Sequence, residues 1–150
     1  MKLTGSLVCS LALSVLAAPA FGGLGGDSTS VQADVVRMRG ALRITPNPGF
    51  TVHEISFSSG TVVREYLSPD DRVFAVSWRG SGIPDLRQML GGYYDQFAQA
   101  ASTAHRGNHH HLTIERPGLI VQSSGHLRTY FGRAWAPDLL PPNFSVASID

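Results

Sequence analysis

Cysteine and lysine are almost absent from this chain. Of its 150 residues one is a cysteine, Cys9, and one is a lysine, Lys2. Both lie in the first ten positions. Beyond them there is no thiol, so disulfides, thiol redox chemistry and cysteine-based zinc sites are excluded for residues 10–150. The charge is also low, with 15% of residues charged and a formal net charge of +1. Lys2 supplies that excess, because the remaining cations are eleven arginines against eleven acids. A balanced chain with no basic cluster is a poor partner for a phosphate backbone, so nucleic-acid binding is set aside. The apolar share is 43%, enough for one domain to build a core without cross-links.

The N-terminus has the features of a secretory leader. Lys2 gives a positive start, "LVCSLALSVLAA" gives a short apolar run, and small residues follow. A membrane span needs about 20 apolar residues, and this run is shorter and meets Pro19. Cleavage could follow Ala20 or Gly22. Cutting after Gly22 is preferred, since it leaves small residues at both key positions. Residues 1–22 are therefore read as a signal peptide and 23–150 as a single exported domain, periplasmic or secreted, with no membrane span left after cleavage. "GLGGDSTS" reads as a flexible lead-in.

The rest patterns as α+β. "TSVQADVVRM" gives a short helix, capped by Thr29 with Gln32 and ending near Gly40. "FTVHEISF", "TVVREYL" and "RVFAVSW" are three strands of a meander. The "SSG" loop should hold Gly60 in the left-handed region, and "SPDD" is a type I turn. These turns set a register. His53 faces Glu65, Ile55 faces Val63 and Phe57 faces Thr61. Ser68 faces Arg72, Tyr66 faces Phe74 and Val62 faces Trp78. Both sheet faces are then apolar, which requires cover on each side or a partner on one. "PDLRQMLGGYYDQFAQAAS" is the main helix, with an apolar stripe from Leu86 to Phe97 and a glycine pair that can kink it. "HLTIERP" is a further strand. "GLIVQ", "SSG" and "HLRTYFGRAW" form a hairpin with Val121 against Leu127. The tail has three prolines and should lie extended over the surface, with 143–150 loosely ordered. The expected architecture is an antiparallel sheet of five or six strands, meander plus hairpin, with one main packed helix.

Few residues suggest chemistry. His105, His109, His110 and His111 crowd one loop, with His126 a further imidazole. Adjacent residues of an extended chain point to opposite sides, so His105, His109, His111 and His126 are the set that could converge on zinc, nickel or copper. A solvated polar loop is the simpler reading, and no cofactor is expected. His53 opposite Glu65 could form an acid–base pair. A cross-strand polar pair is the simpler reading there. "GDS" near Asp27 resembles an esterase serine block, but it follows no strand and no D-x-x-H closes the chain. Tyr66, Phe74 and Trp78 are core aromatics that could instead line a ligand or partner surface.

Taken in order, "LGGD", "FTVHEI", "GTVVREYLSPDDRVFAVSWRG", "PDLRQMLGGYYDQF", "LIVQSSGHLRTYFGRAW" and "LLPPNFSVASI" resemble the proteobacterial domain of unknown function 2844 family. The resemblance covers Leu24 to Ile149. It implies a small exported protein and carries no site residues. The family pattern leads one to expect glycine where Asp71 stands, a place that needs a left-handed residue. The favoured reading is a non-enzymatic module binding a ligand or another exported envelope protein across the second sheet face. Metal handling by the histidine loop comes second, and an envelope hydrolase using His53 and Glu65 third.

Overall fold

The computed structural model describes residues 22–104 and 111–150. It is an α+β fold built on one antiparallel sheet. Seven strands lie in the order β1-β2-β3-β4-β7-β6-β5. They are β1 (Ala41–Asn47), β2 (Phe50–Ser56), β3 (Val62–Leu67), β4 (Val73–Gly80), β5 (His111–Arg116), β6 (Leu119–His126) and β7 (Thr129–Trp135). Among the described residues three α-helices accompany them: α1 (Ser28–Met38), α2 (Leu86–Leu90) and α3 (Tyr94–Ala104). The last two are one helical passage broken by a tight turn at Gly91–Tyr93. Gly91, at φ 51°, takes a conformation open to glycine at little cost, and the glycine pair kinks the helix there.

The meander forms as its turns dictate. His53 pairs with Glu65 and Ile55 with Val63. Gly60 is left-handed at φ 84° and Asp71 at φ 58°. The Asp71 carboxylate repays that strain by accepting bonds from the Ser28 amide and hydroxyl, tying the β3–β4 turn to the start of α1. Asp27 and Ser30 cap α1 reciprocally, so the cap lies two residues before the expected Thr29.

The structure departs from the expected register and turns in several further places. The β3–β4 register shifts by one residue at a bulge between Tyr66 and Leu67. Ser68 still bonds Arg72, but Tyr66 faces Ala75, Val62 faces Arg79, and Val63 faces Trp78. Phe74 and Ala75 consequently both reach the second face, while Val76 and Trp78 return to the helix face. In the last hairpin "SSG" is strand, not loop. The chain reverses at Leu127 and Arg128, both left-handed, and Val121 pairs with Ala134. Finally, the glycine-rich lead-in is no loose arm. Leu24 bonds Met89, and Gly25 and Gly26 bond Val73, so residues 22–24 are buried between α2 and β4.

Each sheet face has its own core. Helices cover the first, where Val31, Met89, Leu90 and Phe97 meet Ile55, Val63, Val76, Trp78, Val121 and Ala134. On the second, Tyr66, Phe74 and Trp135 lie under Leu140, Phe144, Val146 and Ile149 of the C-terminal segment. That segment was expected to be loose toward its end. Instead Ile149 is buried, and the Asp150 carbonyl accepts bonds from Ser77, Tyr66 and Arg64.

Gly132 shows how closely β4 and β7 meet. It pairs with Trp78, whose indole occupies the space a Cβ would take. Gly132→Ala should force Trp78 out of its place and lower stability by roughly 1–3 kcal/mol, read as a shifted urea midpoint.

Candidate functional site

Two places collect polar side chains. The first is inside the molecule. His53 and Glu65 face each other across β2 and β3, on the helix-covered side, and are 5% and 0% exposed. They do not act on one another. Both Glu65 carboxylate oxygens and the His53 Nδ1 are buried without a hydrogen-bond partner. Burial, then the nearby charge of Asp34, pushes the Glu65 carboxyl up to about 8. Burial holds the His53 imidazole below its ordinary value, with Asp71 working the other way. A pair enclosed by core residues offers no reacting atom a place to sit.

Asp34 joins this cluster from α1. It is 1% exposed. Its Oδ1 accepts a bond of 2.6 Å from Gln88 Nε2 on α2, while Oδ2 has no partner. Burial raises its pKa, and the Gln88 bond, Arg37 and the Gly22 amide pull it back. The Gly23 amide plays that part for Glu65. The two glycine amides thus face the two carboxylates without completing hydrogen bonds to the three orphaned oxygens. Asp34 escaped the sequence reading, although a signal was present: it falls on the apolar stripe of Val31, Val35 and Met38. A carboxylate on a buried stripe must meet a partner or hold a proton.

The second place is a groove of about 510 Å³ on the second sheet face, beyond the end of the C-terminal segment. Arg79, Arg133, Gln122, Thr113, His111 and Phe131 line it, with Ile149 and Asp150 at one wall. Arg133 is fixed by Gln122 Oε1 at 3.0 Å and by the carbonyls of Val146 and Ile149. Those partners are neutral. Among the described residues neither Arg79 nor Arg133 pairs with a carboxylate, unlike Arg43, Arg64 and Arg87. Phe131 is 49% exposed. The groove was hidden in the sequence because β4 neighbours β7, not its chain successor, and only that adjacency brings the polar alternates of four strands together.

Tyr66 and Phe74 do not offer a surface. They are 1% and 0% exposed, under the C-terminal segment. Trp78 is 3% exposed and belongs mainly to the opposite core. Of the histidine set, His105, His109 and His110 lie outside the described residues. His111 opens β5 opposite Ser124, and His126 pairs with Thr129. Among the described residues, no three histidine, cysteine or acidic side chains group so as to hold a metal. No described helix is long and apolar enough to cross a membrane.

No curated protein and no solved structure matches the chain. A family model described as a protein of unknown function (DUF2844) matches residues 20–149. That span takes in both cores and, apart from Asp150, both polar places and the C-terminal cover, and the chain belongs to the DUF2844 family.

Proposed function

We propose that the protein works outside the cytosol as a ligand-binding module, and that a small anionic ligand occupies the groove between β4, β7, β6 and β5. The leader-like N-terminus supports export. The observation that carries the binding reading is the pair of arginines without carboxylate partners in one concave site. Arg133 is held by neutral acceptors, so its geometry is set before a ligand arrives and its charge is free to be matched. Arg79 stands beside it with exposed reach, and Phe131 gives an apolar wall. Sites of this kind orient a ligand by a few fixed polar groups.

A thermal-shift panel of carboxylates, dicarboxylates and inorganic phosphate against residues 23–150 tests this. Stabilisation by an anion should weaken at least tenfold in apparent affinity in Arg79→Ala and in Phe131→Ala. Both side chains are exposed, so each variant should keep its unfolding midpoint within about 0.5 kcal/mol of the parent. Anion binding that ignores both substitutions would sink the assignment of the groove.

A further inference from the structure

The buried carboxylates of Asp34 and Glu65 have no cation hydrogen-bonded to them among the described residues. Three of their oxygens, Asp34 Oδ2 and Glu65 Oε1 and Oε2, are buried without hydrogen-bond partners. Uncompensated buried charge is among the costliest features a fold can carry. No lysine can serve, because the chain has none after Lys2. Arg37 acts on Asp34 only through its charge. Yet the backbone beside these acids is that of Gly22 and Gly23, both buried, with the Gly23 amide at Glu65 and the Gly22 amide at Asp34. The preferred leader cut falls between those two residues.

We propose that Asp34 and Glu65 form the receptor for the chain's own α-ammonium, created when the leader is cut between Gly22 and Gly23. An α-ammonium carries three N–H donors, the number of orphaned acceptors. Hydrolysis of the Gly22–Gly23 peptide bond adds one water, leaves a carboxylate on Gly22 of the leader and an amine on Gly23, and the amine takes up a proton at neutral pH. The nitrogen that was the Gly23 amide is then the cation facing Glu65. Departure of Gly22, whose position leaves no room for a Cβ beside the Asp34 carboxyl, clears the approach to Asp34. Neighbouring segments already hold Gly23 in place. Leu24 bonds Met89, Gly26 bonds the Gly23 carbonyl, and a side chain at Gly23 would run into the Gln88 and Met89 carbonyls. Processing thereby converts a destabilising acidic pair into a fastened end, and the uncut chain folds less firmly than the exported one. The other titratable groups around the cluster are His53 across from Glu65, Arg37 on α1, and Asp71 near His53.

The inference rests on the export reading, and its test separates the two. Mass analysis of the exported protein should give Gly23 as the first residue; any other terminus overturns the assignment of the cut. Independently, a chain released from a fusion so that it starts at Gly23 is compared with one that starts at Ala20, because an ammonium on Gly22 would still face Asp34. The three extra residues leave Gly23 in peptide linkage and can carry the ammonium up to about 10 Å away. The Gly23 chain should have an unfolding equilibrium constant at least tenfold smaller. Glu65→Gln should act with opposite signs, weakening the Gly23 chain and strengthening the longer one. A merely structural glutamate would not reverse. The Gly23 chain holds one primary amine and no lysine, so acylation reports on that amine alone. It should react at least tenfold more slowly than in the Asp34→Asn, Glu65→Gln double variant. Equal stabilities of the two starts, with a freely reacting amine, overturn the lock while leaving export untouched.

Discussion

A chain in which Gly23 remains in peptide linkage will lose stability as the pH rises from about 4.5 to about 8, and Glu65→Gln will abolish most of that loss. The folded-state carboxyl titrates far above its value in the unfolded chain, because burial and the Asp34 charge both oppose ionisation. Below about 4.5 the group is protonated in both states, and its buried form costs no ionisation energy. Above that pH the unfolded chain releases a proton that the folded chain keeps. Stability then falls by up to about 1.4 kcal/mol for each pH unit until the folded group itself ionises. Asp34, also raised, acts in the same direction. His53 acts in the other. Its folded pKa is lowered from 6.5, so it costs stability as the pH falls below that value. From 6.5 to 8 the His53 contribution fades and the carboxyl effect dominates. Urea midpoints at pH 5, 6.5 and 8 check it. A parent chain whose stability is flat from 6.5 to 8 would show that Glu65 finds a partner that the described structure lacks. With an ammonium at Gly23, ionised Glu65 is matched, and the slope in that window should shrink.

The parts of this fold that could be read in advance are those fixed by local chemistry. A three-residue loop ending in Gly60 sets the β2–β3 register, and His53 duly meets Glu65. Asp85 beside Pro84 starts the main helix, where its side chain caps the Arg87 and Gln88 amides. The double aromatic and β-branched character of β3 and β4 announces a sheet covered on both sides. What could not be read depends on distant partners. A bulge at Tyr66–Leu67 moves one residue across the sheet, and no turn residue marks it, because the extra residue is accommodated by packing of Phe74 against Phe50 and Phe144. The strand β1 is not announced by its residues, because Pro46 argues against a strand; proline is tolerated there because β1 is an edge strand. The candidate sites follow the same division. His53 and Glu65 were visible as a pair, whereas Asp34, Gln88 and the buried glycines join them only through the tertiary fold.

The second large effect concerns the aromatic core under the C-terminal segment. Phe74→Ala should cost about 3–5 kcal/mol, a large share of the 5–15 kcal/mol by which a domain of this kind is usually stable. The ring is fully buried and touches three others. It meets Phe144 at 4.7 Å and 71°, Tyr66 at 6.3 Å, and Phe50 at 6.4 Å and 80°. Edge-to-face pairs of this kind add about 0.5–1.5 kcal/mol beyond area burial. Phe144 in turn meets Phe50 at 5.1 Å and 88°. Because Phe74 and Phe144 share one interface, the double variant Phe74→Ala, Phe144→Ala should cost less than the two single changes added, by about 0.5 kcal/mol or more. A double-mutant cycle in urea reads this directly. The same logic predicts that a chain ending before Phe144 exposes Tyr66 and Phe74 and binds a hydrophobic dye. Additive costs, or a Phe144→Ala cost below about 0.5 kcal/mol, would mean that the C-terminal segment rests on the sheet without being part of its core. In that case the second face would be open to an outside partner, and the groove beside it would lose the Ile149 and Asp150 wall that shapes it.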